Sequence, residues 1–90
     1  MANIQVRRAA PEEYEVSVDA AGARTLHHVR VSQAEHARYG SGATPERLVE
    51  ESFRFLLERE PATSILSRFE LSIIERYFPV YAEEIHNRLK

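Results

Sequence analysis

Cysteine and tryptophan are absent from this 90-residue chain, lysine occurs once, and glycine only three times. Without cysteine there is no disulfide scaffold, no thiolate nucleophile and no cysteine zinc site. Three Gly and four Pro exclude a collagen-like or low-complexity chain. No apolar run approaches the roughly 20 residues of a membrane span. Met1-Ala2-Asn3-Ile4 opens no secretory signal, so a cytoplasmic location is expected. A surplus of one charge is missing too: twelve cations face fourteen acids, for a net charge of −2. The half up to residue 45 is balanced, and the only basic pair is Arg7-Arg8. Nucleic-acid binders usually concentrate positive charge on one face, and here folding or dimer symmetry would have to create it.

What remains is ordinary globular composition, 43% hydrophobic and 29% charged. Ile4 and Val6, then Tyr14, Val16 and Val18, alternate with polar residues at the period of half-buried strands. Pro11 separates these runs, and Ala20-Ala21-Gly22-Ala23 predicts a tight turn. A third strand follows over Thr25–Val31, with His27, Val29 and Val31 on one face and Leu26, His28 and Arg30 on the other. Leu26 breaks the parity, which predicts a bulge or a two-sided strand there.

Ser32 and Glu35 have capping-box spacing and start a short helix to about Tyr39. Gly40-Ser41-Gly42 ends it. Thr44 as N-cap, Pro45 as first helical residue and Glu46 near the positive dipole end then open the clearest helix. Its apolar stripe is Leu48, Val49, Ser52, Phe53, Leu56 and Leu57, with Phe55 off the stripe. Glu60-Pro61 stops it. Beyond lies broken helix: a turn over Ile65–Phe69 capped by Thr63 or Ser64, a second capping-box spacing at Ser72 and Glu75, an interruption at Pro79, and a last stretch over Tyr81–Leu89. The order βββααα predicts one α+β domain over 1–90: an antiparallel meander at 3–31, a helical hairpin at 32–60 and a broken helical tail at 64–89.

Large apolar residues fill ten of the seventeen positions from Ile65 to Tyr81. Either this tail completes the core or part of it docks on a partner, since large apolar patches on soluble proteins mark interaction sites. The candidate partner interface is Phe55, Phe69, Tyr77, Phe78 and Tyr81, aromatics being the usual interface anchors.

Chemistry is poorly advertised. His27 and His28 are neighbours in a strand and point to opposite faces, and His36 and His86 stand apart, without HExxH or finger spacing. Gly40-Ser41-Gly42 lacks the strand-turn-helix setting of a nucleophile elbow. Asp19 is the only Asp, and Glu12, Glu13 and Glu15 look like a solvated edge. No phosphate-cradling glycine motif occurs. We therefore expect no enzyme activity, no metal and no cofactor.

Residues 25–57 run strand, short helix, Gly-bearing turn and longer helix, and Gly42-Ala43-Thr44-Pro45-Glu46-Arg47-Leu48-Val49 resembles the turn and second-helix start of the ribbon-helix-helix repressors and HicB-like antitoxins. That resemblance implies two chains pairing strands in a DNA major groove, with His28 and Arg30 towards bases and the amides near Thr44 at a phosphate. The wider framework, from Asn3-Ile4-Gln5-Val6-Arg7-Arg8 through the 44–61 helix to Ser64–Pro79, looks like a group of small bacterial proteins of unassigned function. The reading preferred from the sequence is a small non-enzymatic binding or regulatory protein, acting through protein contacts as a homodimer without a membrane. The alternative is a ribbon-helix-helix-like DNA-binding repressor or antitoxin.

Overall fold

The computed structural model describes residues 2–40 and 42–90; Ser41, in the Gly40-Ser41-Gly42 stop expected from the sequence, lies outside the described residues. Strands β1 (Asn3–Ala10), β2 (Glu13–Ala20) and β3 (Ala23–Arg30) form the expected antiparallel meander. A fourth strand, β4 (Arg68–Glu70), joins the far edge parallel to β3, so the sheet is mixed, in the order β1-β2-β3-β4. The helices are α1 (Gln33–Gly40), α2 (Pro45–Leu57), α3 (Ile73–Tyr77) and α4 (Tyr81–Arg88), and a 3₁₀ turn covers Ala62–Ser64. The fold class is α+β.

Alternation decides the sheet's two faces. Ile4, Tyr14, Val16, Val18, His27 and Val29 are buried beneath the helices. Glu15, Ser17, Leu26 and Arg30 share the opposite face. The β2–β3 turn has positive φ at both Ala21 (53°) and Gly22 (78°), the hairpin geometry whose twist matches its strands. Of the bulge or two-sided strand expected at Leu26, the bulge is not there. Register between β2 and β3 runs unbroken from Glu13↔Arg30 to Ala20↔Ala23, and the irregularity falls in β1 between Arg8 and Ala10. Leu26 instead stands 64% exposed on the open face.

The first capping box forms as expected: the Ser32 amide donates to Glu35 Oε1 (2.9 Å), and the Glu35 amide donates to Ser32 Oγ (3.1 Å). Thr44 Oγ1 accepts from the Arg47 amide (3.1 Å), fixing the start of α2. Gly40 permits the close crossing of α1 and α2, because a Cβ there would lie 3.0 Å from Leu48 Cδ2. The second expected box is absent: Ser72 makes no side-chain cap, and its amide donates across to Glu35 Oε2 (2.8 Å). Glu75 is occupied elsewhere, accepting from the Tyr39 hydroxyl (2.6 Å) and pairing with Arg38 (3.0 Å). The helical turn expected over Ile65–Phe69 is likewise replaced, by irregular chain with bends at Ile65 and Ser67 leading into β4. A strand of three residues is too short to show a period, and its pairing is with a segment forty residues earlier.

Candidate protein-binding face

β4 is an edge strand of the sheet, and the chain around it is fixed from three sides. The His28 amide donates to Ser67 O (2.7 Å), and the Leu71 amide donates to Arg30 O (3.0 Å). His27, buried in β3 with its ring 5.2 Å from that of Phe53, donates from Nδ1 to Leu66 O (2.8 Å) while Nε2 meets Thr25 Oγ1 (2.9 Å). A carbonyl oxygen only accepts, so Nδ1 carries a proton. The Ser72 amide is held by Glu35. Burial pushes the Glu35 carboxyl up, but hydrogen bonds from Ser32 and Ser72 outweigh it and leave the group below the usual carboxylate range.

Two hollows flank β4. The first, about 340 Å³, lies on the helix side between the end of α2, the segment before β4 and α3, with Leu56, Ile65, Phe69, Ile73 and Ile74 on its walls. Its rim carries Leu66, 48% exposed, and Tyr77, 68% exposed. The second, about 520 Å³, opens towards the bare face of the sheet and is lined by Glu13, His28, Arg30, Arg68 and Glu70. Leu66, Phe69 and Ile73 belong to both. The strand edge therefore runs between an apolar groove and a charged one.

The five aromatic interface candidates divide. Phe55 and Tyr81 are fully buried and stand in the core, not on a docking surface. The Phe55 ring packs against Phe78 (5.9 Å) and Tyr81 (5.4 Å), and the Arg59 guanidinium covers it at 3.7 Å. Phe55 leaves the stripe of α2 because α4 buries that second side of the helix. Tyr81 ends a buried hydroxyl relay: Ser52 Oγ donates to Leu48 O (2.7 Å), so the Tyr81 hydroxyl donates to Ser52 (2.6 Å). Its phenol is pushed up by burial, and that of Tyr39 up to about 12 by burial and by the carboxylate of Glu75. Phe69 is buried at the floor of the groove, Phe78 is half-buried on its wall, and Tyr77 alone stands largely in solvent. Leu66 is the groove residue sequence reasoning missed; it lay within the apolar tail, but no periodicity marked it as exposed.

His28 and Arg30 lie on β3, where both edges of His28–Arg30 are already paired within the chain, with β2 and β4. The two-chain ribbon implied by the family resemblance finds no free strand there. The Thr44 side chain is engaged in its own helix cap. Among the described residues no group of three or more His, Asp or Glu side chains is placed to hold a metal ion, and no helix is long and apolar enough to cross a membrane. No family model matches the chain, and neither a curated protein nor a solved structure matches it.

Proposed function

We propose that this protein acts by protein contact and not by catalysis, that it works as a homodimer, and that the contact face is the apolar groove beside β4. One observation carries the reading: Leu66 and Tyr77, two of the four large apolar side chains left exposed among the described residues, stand on the rim of the same groove. Single exposed apolar residues need no explanation, but two large ones around a hollow floored by Phe69 form a contiguous patch of the kind that marks interfaces. Tyr suits the centre of such a patch, offering a large contact area at a small entropic cost.

The test is absolute mass by light scattering over a dilution series, for the wild type and Tyr77→Asp. Because Tyr77 is solvated in the single chain, the substitution is expected to leave thermal stability within about 0.5 kcal/mol and to shift the protein towards monomer. A dimer with unchanged dilution behaviour in Tyr77→Asp would remove the groove from the interface. No observation favours the DNA-binding alternative.

A further inference from the structure

The free edge of β4 has a self-complementary pattern, and we infer that a second copy of the chain pairs with it antiparallel, two-fold related, to make one continuous eight-stranded sheet. This rests on the reading of the β4 region as a protein-contact face and names its occupant and register. In the parallel ladder with β3, bonds from His28 N to Ser67 O and from Leu71 N to Arg30 O place residues 67, 69 and 71 towards β3. The backbone N–H and C=O of Arg68 and Glu70 therefore point outward, and among the described residues no hydrogen bond outside the ladder reaches them. An unsatisfied edge of this kind is a template for another strand.

A two-fold axis through Phe69 pairs Arg68 with Glu70 of the partner subunit, and Glu70 with Arg68 of the partner subunit. These are the two residues whose backbone groups point outward, so the same register makes four hydrogen bonds and two ion pairs. Both side chains are exposed on the bare face of the sheet, and neither has an ion-pair partner among the described residues. Opposite charges directly across a strand pair are favourable, and like charges are not. An axis perpendicular to the sheet keeps the helices of both copies on one side. Phe69, at the axis, lines the apolar groove of each copy, so the two grooves meet there. The short ladder supplies register, and the groove walls supply the buried apolar area.

The other free edge, β1, is built differently. It carries an irregularity between Arg8 and Ala10 and two arginines without any acidic residue. A bulge and charges are the devices by which edge strands avoid pairing. Closed two-fold symmetry is also the commonest arrangement of identical subunits.

Light scattering over a dilution series on Arg68→Glu, Glu70→Arg and the double variant R68E/E70R tests the register. Each single change replaces two attractive pairs by two repulsive ones and is expected to raise the dimer dissociation constant by about tenfold or more. The double exchange restores opposite pairs and is expected to return it to near the wild-type value. Amide exchange at Arg68 and Glu70 gives an independent reading in the unaltered chain: both amides slow as concentration rises. A monomeric wild type, a dimer indifferent to the single exchanges, or amides at 68 and 70 that exchange alike in monomer and dimer overturns the edge pairing. A dimer lost in Tyr77→Asp but unmoved by the charge exchanges overturns this register alone and leaves the groove reading standing.

Discussion

Phe55→Ala separates a core role from a contact role more sharply than any other substitution in the chain. The ring is fully buried, lies between the rings of Phe78 and Tyr81, and is capped by Arg59. Truncating a buried Phe to Ala costs about 3–5 kcal/mol, as lost transfer energy plus the cavity left behind. Loss of the guanidinium–ring contact adds roughly 0.5–1 kcal/mol at a partly solvated site. A domain of this length has a total stability of about 5–13 kcal/mol. With a urea slope near 1–1.5 kcal/mol/M for a small domain, the midpoint should fall by about 2–6 M, with the slope unchanged. Chemical denaturation followed by circular dichroism measures this directly. A variant that keeps its midpoint within about 0.5 M of the wild type while losing self-association would refute the core assignment. It would return Phe55 to the interface.

Two further expectations concern pH. Glu35 has its carboxyl lowered in the folded chain, so its contribution to stability is present above the ordinary value of 4.5 and is lost as pH falls through the lower folded value. Glu35→Gln should therefore flatten the acid limb of the stability curve below about pH 4.5; an unchanged acid limb in the variant would show that the Ser32 and Ser72 contacts carry no linkage. At the other extreme, Tyr39 and Tyr81 are raised, so the stability they contribute is complete below pH 10 and declines as pH rises towards the folded values. Phenolate absorbance compared with Tyr39→Phe and Tyr81→Phe should show these two ionising only as the protein unfolds, and a folded-state signal near pH 10 that either substitution reduces would contradict the burial.

The meander and α2 were legible because their evidence is local. Ile4 and Val6, then Tyr14 to Val18, show period two, and Leu48 to Leu57 shows a helical stripe, each behind a recognisable turn or cap. β4 was not legible, because Arg68-Phe69-Glu70 offers a single alternation and becomes a strand only when the edge of β3 is beside it. The second capping-box spacing misled for a related reason. Ser72 and Glu75 have local partners available in sequence, but Glu35 and Tyr39, some 37 and 36 positions away, take both groups. The aromatic candidates failed where a residue's neighbours come from another helix: nothing in α2 alone says that α4 will cover Phe55. Tyr77 is the last residue of the short α3, which buries Ile74 and leaves Tyr77 exposed.

The tail thus has two jobs that pull apart in physical terms. Phe69, Leu71, Ile74, Tyr81 and Ile85 complete a core that three strands and α2 leave open. The same stretch leaves Leu66 and Tyr77 in water and two residues of strand edge unpaired. A three-residue strand has little cooperativity of its own, and its place depends on side chains of older elements: His27 holding Leu66 O and Glu35 holding the Ser72 amide. Both anchors grip backbone just outside β4 and leave the outward groups of Arg68 and Glu70 untouched. Bracing fixes the strand in a paired geometry before a partner arrives, which lowers the ordering cost of association. In the proposed dimer the strand that sets the register is therefore the braced part, and the apolar rim is the part assigned the affinity.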